Sequence, residues 1–143
     1  MITKADFLQQ LQKAISLDEW KRMQAQQLNM NAFNRSVLLE MKDAVCQDEQ
    51  EVLDEKEPAD LAAIIEAYLG EYLKEQPDAW KWIILSCLYL TFFAKRPMHP
   101  LDAAGVQVKQ AEGKTVYECP YKTEDPNTTC YYCVCIPMAE AAR

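Results

Sequence analysis

The 143-residue chain contains only three glycines and one histidine, and this scarcity limits the folds and chemistries open to it. Sheets and tight turns need glycine more than helices do, so the composition favours a helical protein. The sequence also lacks a glycine-rich phosphate loop, a paired-histidine helix motif and a serine in a nucleophile-elbow context. No motif for a reaction is therefore present, and a non-enzymatic protein is favoured over an enzyme.

A long hydrophobic run and a secretory signal are also missing. The most apolar stretch, residues 82–94, is shorter than the roughly 20 residues that a membrane-spanning helix needs. The N-terminal residues lead into an amphipathic pattern and not into the apolar segment of a signal peptide. We therefore expect a cytoplasmic protein with no membrane association, whose cysteines are reduced or metal-bound more readily than disulfide-paired.

Basic residues are in the minority, and the formal net charge is −7. Residues 1–76 carry 15 acidic and 8 basic residues, whereas residues 77–143 carry 7 of each. An acidic surface repels phosphate backbones, so we expect no nucleic-acid partner. A solvated helical surface accounts for the excess of acids without any function.

The length fits a single domain over residues 1–143, and half of the residues are hydrophobic, which is enough to build a core. The hydrophobic pattern changes along the chain, from helical periodicity to short segments in which apolar and polar residues alternate. We divide this domain into a helical body, about residues 1–96, and a cysteine-rich tail, about residues 97–143.

Local signals place the first helices. Thr3 is suited to cap a helix over about residues 4–15. Ser16 and Glu19 match a capping box, which predicts a second helix that ends near residue 27. Asparagines weaken the helical tendency around residue 30 because their amides compete for backbone hydrogen bonds.

Three further helices complete a predicted bundle of about five. One resumes through residues 37–45, and the next has unbroken helical periodicity over residues 61–73 with Pro58 as its first residue. Pro77 opens the last helix, which is apolar all round over residues 80–93. A helix of that kind must lie at the centre of the fold.

Beyond Pro100 the pattern becomes that of strands. Residues 106–109 and 115–118 alternate apolar and polar side chains, with turn-forming residues 111–114 between them. This predicts a β-hairpin, and residues 131–136 are also β-prone. The predicted fold class is thus mainly α, a helical bundle with a small C-terminal β-hairpin and a cysteine-rich tail.

Four of the six cysteines fall near the C-terminus, at Cys119, Cys130, Cys133 and Cys135. The Cys130-x2-Cys133 spacing allows two thiolates to share one ion, which is half of a tetrahedral zinc site. Cys119, at the end of a predicted strand, is a candidate third ligand. The fourth is either His99, at the break between helix and hairpin, or Cys135, which would share a strand face with Cys133.

Other interpretations of the cysteines stay open. No second Cys-x2-Cys pair exists, because position 122 after Cys119 is not a cysteine. Free buried thiols, a disulfide and a redox dithiol are alternatives, and an iron–sulfur cluster is less favoured because the spacing matches neither common ferredoxin pattern. A single histidine beside two prolines, such as His99, is more often a capping or turn residue than a ligand. Cys46 and Cys87 lie on predicted helices, and Cys87 is best explained by core packing.

The tail resembles a family of unknown function. The stretches that carry this are His99-Pro100, residues 117–122 (Tyr-Glu-Cys-Pro-Tyr-Lys) and residues 130–134 (Cys-Tyr-Tyr-Cys-Val). They resemble domain of unknown function number 2115, a family of small helical proteins found mainly in methanogenic archaea. The resemblance implies no known activity, and it emphasises His99, Cys119, Cys130 and Cys133 with Cys135 as an extra.

Two functional hypotheses follow. In the first, a structural zinc ion held by Cys119, Cys130, Cys133 and either His99 or Cys135 pins the tail, and the protein serves interaction or assembly with a protein partner. In the second, a redox or metal-dependent enzyme uses the same cluster chemically. A third and weaker possibility is a small-molecule site at a large apolar cavity beside the central helix.

Overall fold

A computed structural model describes residues 1–101 and 105–138 of the chain. The predicted tail, residues 97–143, therefore lies partly outside the described residues. The mainly α class is confirmed. The five main helices are α1 (Lys4–Lys13), α2 (Leu17–Gln24), α3 (Ala32–Lys42), α4 (Lys56–Tyr72) and α5 (Pro77–Leu88).

Side-chain caps define the first two helices as the sequence predicts. The Asp6 N–H donates to Thr3 Oγ1 over 3.1 Å at the start of α1. At α2 the Glu19 N–H donates to Ser16 Oγ (3.1 Å) and the Ser16 N–H donates to Glu19 Oε1 (2.9 Å). The predicted capping box is therefore confirmed.

The boundaries of α3 and α4 differ from the predictions. Asn31 does not weaken a helix but caps α3, because its Oδ1 accepts the Asn34 N–H at 2.7 Å. That helix ends at Lys42, so the prediction of a helical Cys46 is wrong. Helix α4 begins at Lys56, two residues before Pro58, the predicted first residue.

Helix α5 forms the centre of the bundle and packs against α3 and α4. It continues without a break into a π-helix, Tyr89–Ala94, which the sequence does not predict. Lys95 ends this helix in the left-handed conformation (φ 56°). The buried side chains of this central segment include Trp82, Leu85, Leu88, Tyr89 and Leu90.

Two small sheets flank the helices. Strand β1 (Ile2–Thr3) pairs antiparallel with β2 (Val52–Leu53). In the second sheet, β3 (Gln107–Ala111) pairs antiparallel with β4 (Lys114–Cys119), and β5 (Ile136–Pro137) lies parallel to β4. Glu112 and Gly113 join β3 to β4 with φ angles of 52° and 77°, the pattern of a type I′ turn.

A short helix, α6 (Thr129–Tyr132), stands where the sequence predicts β structure, so that prediction is wrong for its first two residues. It packs against α4. Tyr132 and Cys133 reach the main hydrophobic core. Among the helices of the described residues, none combines the length and apolar character needed to cross a bilayer.

Candidate functional site

A cavity of about 420 Å³ lies between the end of the π-helix and the second sheet. Its wall contains every side chain that the sequence marks as a metal ligand: His99, Cys119, Cys130, Cys133 and Cys135. The residues come from four separate segments, so the fold gathers positions that are up to 36 residues apart in sequence numbering (135 − 99). Pro97, Met98 and Val106 supply an apolar part of the same wall.

Different elements position the thiols. Cys119 is the last residue of β4, Cys130 lies in α6, and Cys133 follows that helix directly. Cys135 lies just before β5 and is only 3% exposed. The prediction that Cys133 and Cys135 share a strand face is wrong, because neither residue is in a strand.

Cys119 is held by its own turn. The Tyr121 N–H donates to the Cys119 sulfur over 3.4 Å, and the Lys122 N–H donates to the Cys119 carbonyl over 3.3 Å. The turn after β4 thus orients the Cys119 side chain.

The remaining thiols lie close enough to influence one another. Burial raises the pKa of Cys135 to about 12, and the neighbouring Cys133 adds to the effect. Burial likewise raises the pKa of Cys130, with smaller contributions from Cys133 and Cys119. Neighbouring thiols thus form part of the surroundings of both Cys130 and Cys135.

In the described residues, the candidate ligands do not meet at one point that a metal ion could occupy. Within residues 1–101 and 105–138, no three histidine, cysteine, aspartate or glutamate side chains are grouped closely enough to hold one ion. His99 is exposed at the rim, whereas the four cysteines are at least partly buried. Metal binding by these residues stays a prediction.

Lys122 is a member of the cavity that the sequence reasoning missed. Its ammonium group donates to the carbonyl oxygens of Cys130, Tyr131 and Cys133. The sequence did contain a hint of its role. Lys122 lies three residues after Cys119, where a second Cys-x2-Cys pair would have its last cysteine. The lysine thus connects the two halves of the cluster.

The other two cysteines do not line this cavity. Cys87 on α5 packs against the core as predicted, and burial, together with nearby Cys133, raises the pKa of its thiol to about 12. Cys46 lies outside the cluster and its thiol donates to the Asp48 carbonyl at 3.2 Å. None of the six cysteines, all of which are in the described residues, forms a disulfide.

A cavity of about 510 Å³ beside Trp82 bears on the hypothesis of a small-molecule site. Its wall is charged, with Glu19, Arg22, Asp78 and Lys81 among the lining residues. It therefore lacks the apolar character that this hypothesis requires.

The fold and the thiol-lined cavity define a mainly helical protein with a cysteine-rich C-terminal region. The chain belongs to the family described as "uncharacterized protein conserved in archaea (DUF2115)", which it matches over residues 5–138. This confirms the resemblance seen in the tail and extends it across the helices.

A curated relative is the UPF0305 protein MJ0646 of Methanocaldococcus jannaschii. It is 35% identical over 106 residues, which cover 69% of this chain and 62% of the relative. The chain thus spans less than two thirds of the relative's length. No solved structure matches the chain.

Proposed function

We propose that the tail cavity is a structural zinc site, and that the protein serves interaction or assembly and not catalysis. The main support is that four thiols, from Cys119, Cys130, Cys133 and Cys135, line one cavity. Zinc prefers thiolate and imidazole donors in a closed, four-coordinate arrangement when its role is structural. The donor types fit this metal.

Cys135 is the better fourth ligand. It is 3% exposed and neighbours Cys133, whereas His99 is exposed at the rim. A structural zinc site excludes water from the metal, which favours the buried donor. We therefore assign the set Cys119, Cys130, Cys133 and Cys135, with His99 as a turn residue.

Binding would require the thiols to rotate toward one another, since they do not yet share a point. A cysteine side chain has one torsion angle with staggered alternatives, so its sulfur can move without the backbone. Metal sites are rarely complete before the metal binds, and part of the binding energy orders the ligands. The cavity gives the sulfurs space for this rotation.

The tail also has a physical need for a cross-link. Strand β3 is exposed along its whole length and buries little apolar surface. Ordering such a segment costs about 1–2 kcal/mol of backbone entropy per residue. A zinc ion that joins β4, α6 and the segment before β5 would offset this cost.

Exposed aromatic side chains beside the cavity support an interaction role. Tyr121 is 69% exposed and Tyr131 is 41% exposed. Aromatic residues are enriched where proteins bind other proteins. A zinc-ordered tail would hold these tyrosines in a fixed arrangement for a protein partner.

The redox or enzymatic alternative has weaker support. Reactive thiols have lowered pKa values, because the thiolate is the nucleophile. The pKa of Cys130 and that of Cys135 are both raised, by burial and by neighbouring thiols. These directions favour inert thiols over catalytic ones.

Metal analysis of the purified protein tests the zinc site. We expect one zinc per chain in the wild-type protein, and loss of zinc in Cys119→Ser and in Cys133→Ser. Cys46→Ser, which alters a thiol outside the cavity, and His99→Ala are the matched controls and should retain zinc. Mass spectrometry of the intact protein under non-denaturing conditions measures the stoichiometry directly.

A wild-type protein that carries no zinc after expression with added zinc would contradict the proposal. So would equal zinc in the wild-type protein and both cavity variants. Loss of zinc in His99→Ala but not in a Cys135→Ser variant would reverse the assignment of the fourth ligand.

A further inference from the structure

We propose that Lys122 is the positioning residue of the tail site: its ammonium group fixes the backbone that presents Cys130 and Cys133 to the cavity. This inference rests on the zinc site proposed above. Lysine is not expected to bind the zinc ion here. The inference is that metal affinity depends on Lys122 as well as on the four ligands.

The hydrogen bonds of Lys122 are saturated. Its Nζ lies 2.8 Å from the Cys130 carbonyl oxygen, 2.8 Å from that of Tyr131 and 2.7 Å from that of Cys133. An ammonium group has three N–H donors. All three are used on one short stretch of backbone, which leaves that group little freedom to move.

These carbonyls belong to α6 and to the residue that follows it. The last carbonyls of a helix have no intrahelical donor, and a helix as short as Thr129–Tyr132 cannot hold its own shape. Lys122 supplies the missing donors from outside the helix. The helical turn that separates Cys130 from Cys133 is therefore stabilised by this one side chain.

Lys122 also connects the two halves of the site. It lies three residues after Cys119, whose turn is closed by the Lys122 N–H bond to the Cys119 carbonyl (3.3 Å). A second Cys-x2-Cys pair would link the halves through the metal, with a thiolate at position 122. Here the lysine makes the link through hydrogen bonds before any metal binds.

The charge of Lys122 complements the proposed ligands. Four thiolates around a divalent ion leave a negative site, and burying uncompensated charge is costly. The lysine lines the same cavity as the thiols. Its ammonium group places one positive charge where the metal–thiolate cluster needs it.

Cobalt binding measures this positioning role. Co²⁺ is a spectroscopic substitute for zinc, and its absorption bands report thiolate coordination and tetrahedral geometry. We expect Lys122→Met to bind Co²⁺ about 10–100-fold more weakly than the wild type, the usual effect of losing a group that orients a ligand. Its thiolate-to-cobalt band should also be weaker at saturation.

Lys122→Arg should restore part of the affinity, because a guanidinium group keeps the charge and several donors but holds them in a plane. Lys114→Met is the matched control, since Lys114 is exposed at the start of β4. It should bind Co²⁺ like the wild type. Circular dichroism should show that the five main helices are retained in all three variants, because the hydrogen bonds of Lys122 are all to the tail.

The outcomes separate this inference from the zinc site itself. If the wild type binds Co²⁺ and Lys122→Met binds it within twofold with the same spectrum, the role of Lys122 is refuted and the zinc site stands. If the wild type binds neither Co²⁺ nor Zn²⁺, the zinc site is wrong and this inference falls with it. Loss of helix content in both Lys122 variants would also count against a role confined to the tail.

Discussion

The Glu19 side chain makes two stabilising interactions, a helix cap and an ion pair. It accepts the Ser16 N–H at 2.9 Å in the capping box of α2, and the Lys81 ammonium of α5 lies 2.9 Å from the same oxygen. Burial acts to raise the pKa of Glu19, but the hydrogen bonds from Ser16 and Lys81 outweigh it and lower the pKa. The folded state thus favours the charged carboxylate.

This direction gives a pH prediction. A group whose pKa is lowered on folding adds stability above its unfolded pKa and loses it as the pH falls through its folded pKa. Glu19→Gln keeps the shape of the capping box and removes the charge. We expect it to lower the free energy of unfolding at pH 7 by about 1 kcal/mol. The difference should shrink as the pH falls below 4.

Urea unfolding of both proteins at several pH values provides the measurement. Glu66→Gln is the control, because Glu66 is exposed on α4 and should change little. If the free energies of unfolding of the wild type and Glu19→Gln differ by the same amount at pH 3 and pH 7, the charge of Glu19 is not responsible for the difference.

At the scale of helices and strands, features that depend on residues close in sequence could be predicted. Contacts between residues far apart in sequence could not. The cap at Thr3 and the capping box at Ser16 depend on neighbours three residues away, and both are confirmed. The pairing of β1 with β2 joins strands of two residues each, which are too short to show alternation.

Helix α6 illustrates why the candidate site was only partly predictable. The β-prone residues Tyr131 and Tyr132 lie in a helical turn, because Lys122 satisfies the carbonyls there. The cysteine spacing was interpreted as a metal site, and the same four cysteines line one cavity. The surrounding backbone depends on a lysine contact that no local pattern encodes.

The end of the π-helix offers a prediction at this scale. Lys95 is exposed and adopts the left-handed conformation with φ 56°. A residue with a Cβ loses roughly 1–2 kcal/mol in this conformation, and glycine is the usual residue at such a helix end. We expect Lys95→Gly to raise the free energy of unfolding by about 1 kcal/mol.

Chemical denaturation of Lys95→Gly and Lys95→Ala tests the backbone explanation. Alanine removes the charge but keeps the Cβ, so its stability should stay near that of the wild type. Equal stabilisation by both substitutions would point to the charge of Lys95 instead of its backbone conformation.

For the whole molecule, the question is whether body and tail unfold together. Helix α4 packs against both α5 and α6, and Tyr132 and Cys133 of the tail reach the core of the body. The tail therefore depends on a surface that exists only when the helices are packed. If the chain is the single domain that the sequence predicts, body and tail should unfold together.

Leu61, fully buried on α4, provides the test. Leu61→Ala should cost about 2–5 kcal/mol, because it removes buried methyl groups and leaves a cavity. In one cooperative domain, the midpoint of helix loss by circular dichroism and the midpoint of tail cleavage by thermal proteolysis should coincide. Both should fall together in the variant.

Val45→Ala is the matched control, since Val45 is 71% exposed and its truncation should leave both midpoints near those of the wild type. A tail that is cleaved well below the temperature of helix loss would show two units. Two units would also be indicated if Leu61→Ala lowers the midpoint of helix loss but leaves the midpoint of tail cleavage unchanged. In that case, destabilising the body would not destabilise the tail. Coincident midpoints in both proteins mean that α6 and the strands draw their stability from the helical core.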